Sequence, residues 1–135
     1  MIGRIRIGTA GWSYADWEGI VYPRPKPRGF HPLELLGGLF DALEVNVSFY
    51  RKPDPRHAER WVERVEGRDF EFTYKMWRGF THDYRRERPT RRDVREFLEG
   101  VRPVMEAGRF GGFLVQFPFS FDATEEHLDH LARFP

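Results

Sequence analysis

The chain has 135 residues, 40% of them hydrophobic and 16% aromatic, which is the size of one domain with enough apolar material for a core. Lysine and arginine total 22 against 21 aspartate and glutamate, so a net charge of +1 supplies no global attraction to nucleic acid or membrane. The lack of cysteine excludes disulfides, thiolate metal sites and thiol nucleophiles; with no long apolar run and no signal-like stretch in Met1 to Ile7, a cytoplasmic protein with no membrane partner is expected.

A first strand is read near 5–12, followed by an aromatic loop and a short helix from Pro32 to Phe40 that carries Leu33, Leu36, Leu39 and Phe40 at helical spacing. Strand two is placed near 42–49. Asp54-Pro55 then starts a helix, with Asp as N-cap and Pro at the first helical position, and Ala58, Trp61, Val62 and Val65 give its apolar stripe up to Gly67. Strand three is expected near 69–77. A long loop with Thr81-His82 leads to a capping box at Thr90 and Asp93, and Val94, Phe97, Leu98, Val101 and Met105 form the stripe of the next helix, which Pro103 should kink or split after Gly100. Strand four falls near 111–117 and a last short helix spans Thr124 to Arg133.

Four strand–helix units call for a parallel α/β sheet with right-handed crossovers. Such sheets normally have both faces covered. Here alternation puts Leu43, Val45, Phe72 and Tyr74 on one side and projects Glu44, Asn46, Lys75 and Gln116 together on the other, near the strand C-termini. A barrel resolves the conflict, because its helices pack outside while the strand ends open onto a polar mouth. The fold expected is therefore four parallel βα units of a (β/α)8 TIM-type barrel. An open sheet, the alternative, would bury Glu44 and Lys75 under a helix.

Within that mouth Glu44 and Lys75 end sequential strands and are expected within ion-pair range, as an acid–base or anion-anchoring pair or as a structural salt bridge. Lys75 as a Schiff-base nucleophile would need a lowered pKa, against which Glu44 works. His82, the one histidine beside a predicted strand end, has the near-neutral pKa that suits proton transfer. Glu44, Lys75 and His82 are the candidate catalytic residues. Trp12, Tyr14, Asn46, Tyr50 and Gln116 are the candidate substrate-binding residues: the aromatic rings can stack on a sugar or base or simply plug the barrel top, and the amides can orient a polar ligand or staple strands. His127 and His130, three apart, read as a solvated helix face rather than a metal pair, and no metal set or cofactor is assigned.

From Arg85 to Arg95 six arginines stand against two acids. Beside stacking aromatics this run can track a phosphate backbone, which gives a second reading as a noncatalytic nucleic-acid or phosphate-binding module. The first reading is an enzyme acting on a polar, sugar-like or phosphorylated small molecule.

Five motifs carry a family resemblance. Ile7-Gly8-Thr9-Ala10-Gly11-Trp12-Ser13-Tyr14, Leu43-Glu44-Val45-Asn46-Val47-Ser48-Phe49-Tyr50-Arg51, Phe70-Glu71-Phe72-Thr73-Tyr74-Lys75, Thr81-His82 and Leu114-Val115-Gln116-Phe117-Pro118, in this order, resemble the YecE-like family, also called domain of unknown function 72. The resemblance implies a (β/α)8 barrel with no settled activity. It also implies a longer protein, with a second half bearing a Glu-Phe-Arg-His motif that this chain does not contain, so it covers the N-terminal half of the family domain. A full barrel takes about 250 residues. A half-barrel is expected to need a second copy or a complementary half-barrel chain to cover its edges.

Overall fold

The computed structural model describes residues 3–134; Met1 and Ile2, the start of the segment read above for a signal, and Pro135 lie outside the described residues. Strands β1 (Gly8–Ala10), β2 (Ala42–Val45), β3 (Glu71–Lys75) and β4 (Phe110–Leu114) form one parallel sheet in the order β1-β2-β3-β4. Between and after them run α1 (Pro32–Leu39), α2 (Pro55–Arg64), the single turn α3 (Arg78–Thr81), α4 (Arg91–Glu106) and α5 (Glu125–Ala132). This is the α/β alternation the sequence pattern predicts. Among the described residues no helix is long and apolar enough to cross a membrane.

Each helix start except that of the single turn α3 has a side chain that takes up a free backbone N–H. Asp54 accepts from the Arg56 N–H at 2.9 Å, and His31 Nδ1 accepts from the Leu33 N–H at 3.2 Å, both with proline at the first helical position. Thr90 and Asp93 form the reciprocal capping box of α4, and Thr124 caps α5. Such caps are worth about 1 kcal/mol each. They also fix where each helix leaves the loop that precedes it.

The sheet has one dry face. Leu43, Val45, Phe72 and Tyr74 are all but completely buried against Leu33 and Leu36 of α1, Ala58 and Trp61 of α2, and Phe97, Val101 and Val104 of α4. Glu44, Thr73 and Lys75, which alternate with them, are only half-buried. Tyr74 carries one polar atom into this core: its phenol is buried with no hydrogen-bond partner among the described residues, and burial raises its pKa. An unsatisfied hydroxyl costs about 1–3 kcal/mol, so Tyr74→Phe is expected to match or exceed the parent stability in urea unfolding. A loss above about 1 kcal/mol would mean that the hydroxyl has a partner.

Three expectations need correction. All four strands are shorter than read: regular pairing stops at Val45 and Leu114, so Asn46 and Gln116 lie beyond the strands and not on them. At β2 the cause is a 3-10 turn over Asn46–Phe49, in which the buried Ser48 hydroxyl sits 2.5 Å from the Val45 carbonyl and 2.6 Å from that of Lys75. A side chain takes over where the ladder ends. Second, α4 runs unbroken through Pro103; the partner lost is the carbonyl four residues back, on exposed Glu99, which water can satisfy. Third, the stretch after β3 is not all loop, since α3 makes one turn there.

Opposite Phe72 and Thr73 of β3 the register of β4 shifts by one residue, so that Phe110 pairs with Phe72 and Phe113 with Tyr74. The extra residue lets two phenylalanines three apart both reach the core side. Gly112 accommodates it with a φ of 141°, a conformation that disfavours any side chain.

Candidate active site at the strand ends

The Asn46–Phe49 turn, fixed at Ser48, divides the surface beyond the strands into two adjoining parts. One is centred on the Phe49 ring. The Lys75 ammonium lies over it at 4.8 Å and the Arg78 guanidinium at 5.9 Å, while His82 and Tyr50 meet it edge-on with centroids 4.9 Å and 5.1 Å away. Arg78 is held by Asp83, Nε to Oδ2 at 2.6 Å. Lys75 makes no ion pair among the described residues, so its charge faces an aromatic ring and solvent.

Burial, and then the neighbouring Arg78 charge, push the His82 pKa below the ordinary histidine value; Lys75 adds to this and Asp83 opposes it. His82 is therefore neutral near pH 7 and can accept a proton. Its Nδ1 lies 2.8 Å from the Thr81 hydroxyl. A lowered folded-state pKa stabilises the fold above the unfolded-state value, and that stability is lost as pH falls through the folded value. His31, also lowered by burial and then by Arg64, acts in the same sense. An NMR titration is expected to place the His82 midpoint below 6.5 and to show it rising in Arg78→Ala. A midpoint at or above the ordinary value would remove the basis for a neutral imidazole.

The expected Glu44–Lys75 ion pair is absent. Register sets Glu44 opposite Thr73, two residues short of Lys75, and the ammonium lies over the Phe49 face instead. Glu44 stays half-buried on the open face, without an ion pair among the described residues. Tyr50 is 70% exposed and belongs with Phe49, while Gln116 is exposed beyond β4.

On the other side of the turn is a cleft of about 750 Å3, lined by Trp12, Tyr14, His31, Asn46, Arg51, His57 and Trp61 among others. Three of the sequence-predicted binding residues, Trp12, Tyr14 and Asn46, thus share one cavity. Trp12 meets Trp61 edge-on at 5.0 Å, and His57 stacks on Trp61. Tyr14 donates to the Ala10 carbonyl, and the Asn46 amide reaches the same oxygen at 3.4 Å. Lys52 at the rim is neutralised by Asp93 and Glu96, whereas Arg51 is exposed and forms no ion pair among the described residues. Sequence reasoning missed His31, His57 and Trp61. For His31 and His57 the signal was their place at the starts of α1 and α2, which follow strand ends and so open on the same side; Trp61, two turns into α2, reads as core.

Among the described residues no three potential metal-ligating side chains come together. His127 and His130 do not form a solvated face: His127 is 4% exposed, stacked on Phe121 and bonded to Arg85 and Asp122, and His130 stacks on Tyr84 with centroids 3.6 Å apart. In the arginine run, Arg85 pairs with Glu126 and Arg92 with Glu96. Arg88 and Arg91 line a second cleft of about 790 Å3 against α5, without an ion pair among the described residues.

A parallel α/β sheet with its polar side chains and an aromatic cleft at the strand C-termini is the class of protein defined here. The chain belongs to the family described as "Protein of unknown function DUF72", whose sequence model matches residues 6–135. The UPF0759 protein YunF of Bacillus subtilis (strain 168) is 30% identical over 132 residues, covering 94% of this chain and 44% of that protein. A DUF72 family protein of Thermotoga maritima MSB8 superposes with a TM-score of 0.72 at 28% identity, over 95% of this chain and 50% of that one. One from Enterococcus faecalis V583 gives a TM-score of 0.75 at 24% identity, over 96% and 46%. The chain spans about half the length of the relatives it matches.

Proposed function

We propose that the surface beyond the strand ends binds a polar, anionic small molecule and transfers protons on it. The observation behind this is the meeting, on one Phe49 ring, of a lysine without a carboxylate partner and a histidine held neutral. Lys75 would anchor a phosphate or carboxylate group, and His82 would accept or donate the proton. The adjoining cleft offers the flat face of Trp12, with Tyr14 and Asn46 at hand, for a sugar-like ring. Glu44 supplies a carboxylate on the same open face.

Ribose 5-phosphate and inorganic phosphate are suitable probes for calorimetry. Removing one charge-assisted contact costs about 1.5–3 kcal/mol, so Lys75→Met is expected to weaken ribose 5-phosphate binding by about tenfold or more. Equal affinity in parent and variant would overturn the anchoring role. A second reading, an oligoanion or nucleic-acid surface, draws support from Arg88 and Arg91 in the cleft against α5. Its mark would be oligonucleotide binding that falls steeply with salt and is lost in Arg88→Ala with Arg91→Ala, with Lys75→Met neutral.

A further inference from the structure

We propose that His31 determines what the aromatic cleft accepts: the fold locks it as the tautomer with its proton on Nε2, and that N–H selects an anionic sugar by donating to one of its oxygens. This rests on the ligand reading above for what enters the cleft. The tautomer itself follows from the chain's own hydrogen bonds.

The lock is the cap of α1. The Leu33 N–H donates to His31 Nδ1 at 3.2 Å, so that nitrogen offers a lone pair and cannot carry a proton. A neutral imidazole then holds its N–H hydrogen on Nε2. Burial, and then the Arg64 charge, lower the His31 pKa, with Glu34 opposing. An imidazolium would also break the cap, because both its nitrogens donate.

The second nitrogen is free for a ligand. Nε2 has no hydrogen-bond partner among the described residues, and it is not sealed in the core as the Tyr74 hydroxyl is. The half-buried ring lines the cleft, its centroid 6.4 Å from that of Trp12. A sugar ring stacked on the Trp12 indole therefore brings its substituent oxygens beside the imidazole.

The other charged groups of the cleft sharpen the choice. Asp54 is the carboxylate on its wall, and both its oxygens serve Arg56: Oδ1 takes the backbone N–H at 2.9 Å and Nε at 3.1 Å, and Oδ2 takes Nη2 at 2.7 Å. A ligand hydroxyl finds no idle carboxylate there to donate to. His31 Nε2–H and the Arg51 guanidinium, by contrast, are donors only. A sugar phosphate or sugar acid, rich in acceptors, suits this set better than a neutral polyol.

Two measurements test this. Long-range proton–nitrogen NMR of the parent chain at pH 7 reads the tautomer without ligand or substitution, and His31 is expected to carry its proton on Nε2. In calorimetry the variant of choice is His31→Asn, since asparagine is a favoured N-cap that keeps the Leu33 N–H satisfied but is too short to place a donor where Nε2 stands. It should melt within a few degrees of the parent, bind ribose 5-phosphate about fivefold more weakly, and bind inorganic phosphate, which needs only Lys75, as the parent does. Lys75→Met should weaken both probes. A proton on His31 Nδ1, equal ribose 5-phosphate affinity in parent and His31→Asn, or an equal loss for both probes in His31→Asn would overturn the proposal and leave the anchoring role of Lys75 standing. A parent chain that binds neither probe would remove that role and this inference together. If His31→Asn fails to fold, the tautomer in the parent decides.

Discussion

Gly100→Ala is expected to destabilise the fold by about 3 kcal/mol and to lower the melting midpoint by about 10 °C, although alanine is intrinsically the better helix former by about 1 kcal/mol. The reason is contact with the main chain. Gly100 is buried in α4, and a Cβ there would fall 2.1 Å from the Pro53 carbonyl oxygen and 2.6 Å from its carbon. Backbone cannot swing aside as a flexible side chain would, so α4 or the segment entering α2 has to move. Pro53 also lines the aromatic cleft, and the displacement would reach the site. A thermal melt compared with the parent checks this; an unchanged or raised midpoint would mean that the helix and the Pro53 segment do not touch.

Trp61→Ala is expected to cost about 4 kcal/mol, a large part of the 5–15 kcal/mol that holds a domain together. Trp61 is 8% exposed and joins two parts of the molecule: it lies in the core beside Phe72 and forms a wall of the cleft against Trp12 and His57. Trp61→Phe keeps an aromatic ring there and should lose less than half as much in urea unfolding. Equal losses for both variants would place the effect in the indole itself and not in the volume it fills.

Local chemistry made much of this fold readable in advance. Asp54-Pro55, Thr90 with Asp93 and Thr124 announce helices because one side chain and one backbone N–H decide them, and alternation in β2 and β3 sorts core from open face because neighbours three residues away suffice. The misses depend on distant groups. Nothing near Asn46 tells that Ser48 will reach the Lys75 carbonyl and end the strand, 27 residues apart in sequence. Nor does the order Phe110-Gly111-Gly112-Phe113 disclose a register shift set by the partner strand.

The candidate site was legible to the same depth. Trp12, Tyr14 and Asn46 share a cleft, and Lys75 with His82 share a ring, because strand ends and the loops after them open on one side. Glu44 and Lys75 were matched by sign and strand number. Pairing also depends on rung, and the Lys75 ammonium lies over an aromatic face. His127 was misjudged because Phe121 and Arg85, which enclose it, come from other segments of the chain.

Ser48 gives the two halves of this surface a common mechanical anchor. Asn46 faces the indole-walled recess and Phe49 carries the basic group, yet one hydroxyl pins both to the tips of β2 and β3. Any molecule that presses on Asn46 therefore loads the same pivot that seats Phe49. A ligand bound in the recess would therefore bear on the Phe49 side through the four residues of the turn, Asn46 to Phe49.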